Sequence, residues 1–309
     1  MIKNISDYHQ FFSIKQNKKI NHILILKDGR LSSAGENKGI YIYNKEYQPE
    51  MIIYMPNKHE LTRVEYYIQS KNTNIIACFA LFIQIVKLEP NNQYSLIQTL
   101  ENHNSTTLKV IELQNNELIS CSIDNCVIIW KINENNGKYE KIKEIYGKFG
   151  GYDILDILTV KNEKELVISS LNFESLNFYN IQNNYEIITE IYNIQHCGFS
   201  MIEYNDLLLI GGKEKNGIYI LDLNNYQLLA NYFKNEFGVY KIFILSNENI
   251  LLISNNLLEC SLKNNEIKIV SKKNAINHSG NSFSITSIIE TKDKIIIISC
   301  SDGQINFWK

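Results

Sequence analysis

The 309 residues, 44% hydrophobic and 21% charged, have an ordinary globular composition, and their length alone allows one large all-β domain or two average ones. A formal net charge of -2 supplies no basic field for nucleic acid or an anionic membrane. The start lacks an apolar leader, no window approaches the roughly 20 apolar residues that span a bilayer, and 6 scattered Cys show no CxxC pairs. A cytosolic chain with buried, reduced thiols is therefore expected.

In chain order, the first predicted element is a strand over 9–15, His9 to Lys15. It is followed by a run of similar units of about 44 residues each, a period that signals a propeller or solenoid. The units end at Ile40-Tyr41-Ile42-Tyr43, Ile83-Gln84-Ile85-Val86, Ile128-Ile129-Trp130, Leu176-Asn177-Phe178-Tyr179, Ile218-Tyr219-Ile220-Leu221, Leu257-Leu258-Glu259-Cys260 and Phe307-Trp308. Upstream of several endings, short apolar runs such as Leu108, Val110, Ile111, Leu113 and Tyr240, Ile242, Phe243, Leu245 read as buried strands, being too short and too rich in β-branched and aromatic residues for helices. Polar clusters between them, Gln114-Asn115-Asn116-Glu117, Asn205-Asp206 and Ser246-Asn247-Glu248-Asn249, suit hairpin turns. The last unit stops after its third strand, so the segment around 9–15 is expected to supply the fourth. All 309 residues are then absorbed in a single domain.

Two units carry the most specific residues. Ser120, Asp124 and Trp130 recur as Ser299, Asp302 and Trp308, and in both the Asp precedes the Trp by the same spacing. Here the sequence resembles the WD40 repeat family. The resemblance implies an all-β, closed β-propeller of seven blades, each of four antiparallel strands, with the N-terminal strand completing the last blade. It further implies a hydrogen-bonded network of His103, Ser120, Asp124 and Trp130 in one blade and of His278, Asp302 and Trp308 in another. The departures are plain: Lys131 and Lys309 replace the family's Asp after Trp, and Asn102 and Asn277 replace the Gly before His.

Nothing in the sequence matches a phosphate loop, a nucleophile elbow or a zinc-protease helix. The glycine-rich Gly147-Lys148-Phe149-Gly150-Gly151 and Gly211-Gly212 lack the strand-loop-helix context. No catalytic residue, metal or cofactor is assigned. The 6 His are read as structural, because a metal needs several ligands converging on one point. The short basic spots Lys15, Lys18, Lys19 and Lys272, Lys273 read as solvated surface. The expected function is a non-enzymatic scaffold or adaptor for other proteins or peptides, acting alone or as a subunit of a larger complex. The alternative is a propeller hydrolase or lactonase using carboxylates such as Asp153, Asp156 and Glu203. The resemblance places contacts on the channel-mouth face, just before each innermost strand, at Lys19, Arg63, Thr107, Ile154, Gly198, Val239 and Ser284. Ile154, Val239, Tyr152 and Phe237 are expected to form an apolar anchor beside Arg63.

Overall fold

The computed structural model describes residues 7–37, 39–54, 63–72, 74–79, 81–146, 154–170, 175–192, 194, 197–212, 215–254, 256–274 and 285–309. Among these residues lie 28 strands. The first, β1 (Gln10–Lys15), is followed by β2 (Ile20–Ile25), β3 (Leu31–Gly35), β4 (Gly39–Tyr43) and β5 (Pro49–Tyr54). Next come β6 (Tyr66–Gln69), β7 (Ile75–Cys78), β8 (Ile83–Glu89) and β9 (Gln93–Leu100), then β10 (Thr107–Glu112), β11 (Leu118–Ser122), β12 (Cys126–Asn133) and β13 (Lys138–Tyr146). The middle of the chain forms β14 (Ile154–Val160), β15 (Glu165–Ser170), β16 (Ser175–Asn180), β17 (Glu186–Ile191), β18 (Cys197–Tyr204), β19 (Leu207–Gly212), β20 (Ile218–Asp222) and β21 (Gln227–Tyr232). The last are β22 (Lys241–Ile244), β23 (Ile250–Ile253), β24 (Asn256–Lys263), β25 (Glu266–Asn274), β26 (Ile285–Glu290), β27 (Ile296–Cys300) and β28 (Gln304–Trp308).

These strands pair into seven four-stranded antiparallel sheets. Six are meanders of consecutive strands, beginning at β2, β6, β10, β14, β18 and β22; the seventh runs β1-β28-β27-β26, so the N-terminal strand is the fourth strand of the C-terminal sheet. Two compact units divide the chain. One comprises Met1–His9 and Phe149–Ser282, with three of the sheets; the other comprises Gln10–Lys148 and Phe283–Lys309, with the remaining four.

The predicted turn residues sit in left-handed backbone, at Asn116 (φ 63°) and Asn205 (φ 54°), where Asn side chains tolerate it, and at Glu248 (φ 68°). The second strand of each sheet is buried along almost its whole length, whereas the fourth is mostly exposed. A single sheet cannot bury its own apolar faces, so the cores form where neighbours stack. In the larger unit, Ile40, Ile42 and Ile53 pack with Val64, Tyr67 and Phe79, and Ile76, Cys78 and Ile85 pack with Val110, Leu118 and Trp130. In the other, Val167 and Phe178 pack with Leu208 and Tyr219, and Leu209 and Ile220 with Ile250 and Leu252. Adjacent sheets are also clasped by one repeated bond at the first turn. The backbone N–H of Lys27 donates to Gln69 Oε1 (2.6 Å), that of Lys71 to Glu112 Oε2 (2.7 Å) and that of Lys161 to Glu203 Oε1 (2.9 Å).

One irregularity recurs in every sheet. The fourth strand carries a β-bulge against the third, always beside the residue that ends the sequence repeat: Tyr43, Val86, Trp130, Tyr179, Leu221, Cys260 or Trp308. The extra residues are Glu50, Ile97, Ile142, Ile188, Leu229, Val270 and Phe11. The seven repeat endings thus share one register position. Cys78, Cys121, Cys126, Cys260 and Cys300 are buried free thiols, and burial pushes those of Cys126, Cys260 and Cys300 up to about 12. They are small core residues without thiolate reactivity.

Candidate functional site

The loops that lead into the innermost strands are fixed by a repeated backbone pattern. Ile20, Thr107 and Ile154 each pair with the last residue of the second strand of their own sheet: Gly35, Ser122 and Ser170. Val64, Thr107 and Val239 each donate their N–H to the second-strand end of the sheet before: to the carbonyls of Gly35 (2.9 Å), Phe79 (3.3 Å) and Gly212 (2.8 Å). These five residues therefore hold one structural position. All are in the core, at 0% exposed for Ile20, Val64, Thr107 and Val239 and 1% for Ile154.

This corrects three of the expected contact residues. Thr107, Ile154 and Val239 stand one residue further along than Lys19 and Arg63, and in extended chain a one-residue slip turns the side chain to the other face. They pack inward and offer a partner no surface. Val239 belongs to a core cluster against which Phe237 is partly buried, so these two members of the expected apolar anchor are part of the protein's own packing. The hydroxyl of Thr107, in a place that valine or isoleucine takes elsewhere, is buried with no hydrogen-bond partner among the described residues. The residue equivalent to Lys19 and Arg63 in the third sheet is Thr106, whose carbonyl accepts from Ile123 N–H (3.1 Å) as that of Lys19 accepts from Glu36 N–H (2.9 Å). Tyr152, Ser284 and His278 lie outside the described residues. Gly198 is buried at φ 98°, where a Cβ would strike Ser169, so it serves backbone approach and not contact.

Lys19, Arg63 and Thr106 remain at least partly exposed. Arg63 Nε donates to Glu65 Oε1, and Asn21 Nδ2 bridges Glu65 Oε2 (3.3 Å) and the Val64 carbonyl (3.0 Å). The Arg63 side chain is still 50% exposed, so its charge is directed without being covered.

Beneath these loops lie two buried polar networks. His103 Nδ1 is 3.1 Å from Asp124 Oδ2, His103 Nε2 is 2.8 Å from Ser120 Oγ, and Trp130 Nε1 donates to the same hydroxyl at 2.9 Å. Ser120 thus ties the loop before β10 to the second and third strands. Asp124 also accepts the N–H groups of Asn104 (2.7 Å) and Cys126 (3.0 Å). The second network was not foreseen. Gln16 Nε2 donates to Ser33 Oγ (2.8 Å) and to Tyr43 Oη, Ser33 Oγ is 3.0 Å from Tyr43 Oη, and Asn37 Nδ2 donates to Gln16 Oε1 (2.7 Å). Its members repeat the spacings of the first: 17 residues from Gln16 to Ser33 as from His103 to Ser120, 10 from Ser33 to Tyr43 as from Ser120 to Trp130, and 21 from Gln16 to Asn37 as from His103 to Asp124. Gln, Asn and Tyr replace His, Asp and Trp, giving an uncharged version of the same device. In the C-terminal sheet, Asp302 Oδ2 is 3.3 Å from Lys15 Nζ and its Oδ1 accepts from Gln304 N–H, so it fixes β1 to β28. Register sets Ile296 opposite Trp308 as Leu118 is opposite Trp130, which puts Ile298 and not Ser299 at the place of Ser120. Ser299 turns its hydroxyl to Thr286 Oγ1 (2.9 Å).

The charged network carries a pH dependence. Burial raises the Asp124 carboxyl, but the hydrogen bond from His103, the Asn104 N–H, the His103 charge and the Cys126 N–H lower it, and the lowering prevails. A group whose folded pKa is depressed contributes stability above its unfolded value of about 4 and loses it as pH falls through the folded value. Asp124→Asn is therefore expected to lower the melting temperature at about pH 6 and to approach the wild type as pH falls below about 4, in a series of thermal melts. Parallel curves for the two proteins over that range would remove Asp124 as the titrating group.

The carboxylates considered for hydrolysis are otherwise engaged. Asp156 is buried and accepts the N–H groups of Ile157 (2.9 Å) and Met201 (3.3 Å), and Glu203 is the clasp for Lys161; Asp153 lies outside the described residues. No group of three or more His, Cys, Asp or Glu among the described residues is placed to hold a metal. Nor is any helix among them long and apolar enough to cross a membrane.

No family model matches the chain, and no curated protein matches it by sequence. Its structure is another matter. The WD40 beta propeller domain of Doa1 superposes with a TM-score of 0.75 at 15% identity, covering 99% of this chain and 98% of that chain. The fold is a seven-bladed β-propeller. Each four-stranded sheet is a blade, and β1 completes the last of them. Because 1389 solved chains match in this way, the likeness selects an architecture and carries no partner with it.

Proposed function

We propose that residues 1–309 act as one propeller domain whose function is to bind other proteins without bond chemistry, in the cytosol. The contact surface is that of the loops leading into the innermost strands. The observation that carries this reading is the exposure of Lys19, Arg63 and Thr106 at one repeated position in three successive blades, with buried networks fixing the loops of Lys19 and Thr106 and the Val64 N–H bond to Gly35 fixing that of Arg63. Prefixed loops lower the ordering cost that a partner's association must overcome. The engagement of Asp156 and Glu203 by backbone N–H groups supports binding over hydrolysis.

The test is a pull-down of the tagged chain from its native lysate beside a Lys19→Glu, Arg63→Glu double variant of unchanged circular dichroism. Both side chains are at least partly exposed, so the fold should survive the charge reversal. Partners held by the wild type and lost by the variant are the expected result. Partners held equally by both would move the contact surface elsewhere, and none captured by either would overturn the platform reading.

A further inference from the structure

A second feature of the larger unit adds a kind of partner to this reading and rests on it. Between β1 and the blade formed by β2–β5 there is a cleft of about 200 Å³. It is lined by the apolar Ile14, Tyr41, Tyr43 and Pro49 and by the amides of Gln16, Asn17 and Asn37. The space is below the roughly 300–1,000 Å³ of sites that enclose a drug-sized molecule, and it suits a single side chain.

Charge narrows the ligand further. Among the lining residues only Lys15 is charged, and its ammonium is engaged by the Asp302 carbonyl (2.7 Å) and carboxylate (3.3 Å). A phosphate or a carboxylate would find no unpaired cation there. What the polar lining offers is amide chemistry. Asn37 is oriented by its Nδ2 bond to Gln16 Oε1, while Gln16 Nε2 is held by Ser33 and Tyr43. That leaves Asn37 Oδ1 as a fixed acceptor, with no hydrogen-bond partner among the described residues. The exposed Asn17 amide lines the same cleft. One wall of the cleft is the end of β1, the edge strand of its sheet, along which an extended chain can lie. An apolar seat of one-residue size, a fixed amide acceptor and an edge strand match an extended, uncharged peptide.

We propose that this cleft binds an extended partner peptide, seating one apolar side chain against Tyr41 and Pro49 while a peptide N–H donates to Asn37 Oδ1. The probe is a random peptide library displayed on phage and selected against the full-length chain. Enriched peptides are then titrated by fluorescence polarisation against wild type, Pro49→Glu, Asn17→Glu and Arg63→Glu. Pro49 and Asn17 are exposed, so both substitutions place a carboxylate in the cleft without disturbing the core. The expected result is a shared apolar residue among the enriched peptides, with binding weakened roughly tenfold or more by either cleft variant. Peptides weakened only by Arg63→Glu would overturn the cleft and leave the platform reading standing. An unenriched library, or peptides indifferent to both cleft variants, would overturn the cleft as well, while the lysate experiment continues to decide the platform reading separately.

Discussion

Removal of residues 1–15 is expected to abolish the soluble folded protein. β1 is remote in sequence from its partner strand, pairing through Gln10↔Trp308, Phe12↔Phe307, Ser13↔Asn306, Ile14↔Ile305 and Lys15↔Gln304. Its Phe12 ring lies 5.2 Å from that of Phe307, and Phe12 and Ile14 cover a cluster built on Ile23, Tyr43, Ile297, Ile305 and Phe307. Ile305 and Phe307 are 0% exposed in the intact chain. Uncovering side chains of this size costs about 1.5–3 kcal/mol each, and the carboxylate of Asp302 loses Lys15 at the same time. Against a total stability of about 5–15 kcal/mol for a folded domain, a loss of about 3–6 kcal/mol takes a large share of the margin. Soluble yield and size-exclusion profile, with and without a synthetic peptide of residues 7–17 added in trans, are the readouts. A truncated chain with the wild-type melting temperature would show that the C-terminal blade stands on three strands.

Trp130→Ala is the second large effect. Trp130 is 1% exposed, packs with Ile76, Ile85 and Leu118 in the core shared by the second and third blades, and ends the network at Ser120. Replacing a buried aromatic by alanine leaves a cavity that the surroundings fill only in part, at about 3–5 kcal/mol. Trp130→Phe keeps most of the volume and gives up the bond to Ser120, for a smaller loss of about 1 kcal/mol beyond its packing change. Chemical unfolding should therefore rank wild type, Phe and Ala in that order, with Ala far below the others. Equal midpoints for Phe and Ala would mean that the indole bond and not its bulk holds the blade.

The architecture was legible because strand endings repeat. Tyr43, Val86, Trp130, Tyr179, Leu221, Cys260 and Trp308 differ in chemistry, yet each ends an apolar run of the same period, and the structure sets all seven at one register beside a bulge. The contact face was less legible. Spacing along strands is set by the pleat, whereas the loops before the innermost strands vary in length, and nothing in the residues around Thr107, Ile154 or Val239 marks which neighbour faces in. Hydrogen bonds from Val64, Thr107 and Val239 to the preceding blade supply the missing alignment. The uncharged network was hidden for a different reason. Gln16, Asn37 and Tyr43 are not the residue types of the family's pattern, and only their shared spacing with His103, Asp124 and Trp130 would have betrayed them.

The bulge found in every fourth strand has a consequence for how copies of this protein meet. Six of the seven inserted residues are apolar and exposed: Phe11, Ile97, Ile142, Ile188, Leu229 and Val270. Strips of such side chains on straight strands would invite copies to stack margin to margin, each lending its free N–H and C=O groups to the next. Here the rhythm of those groups is broken partway along every outer strand, so an approaching chain can pair only over the few residues on one side of the bulge. The blades can thus show grease at their rims without serving as a template for fibre growth.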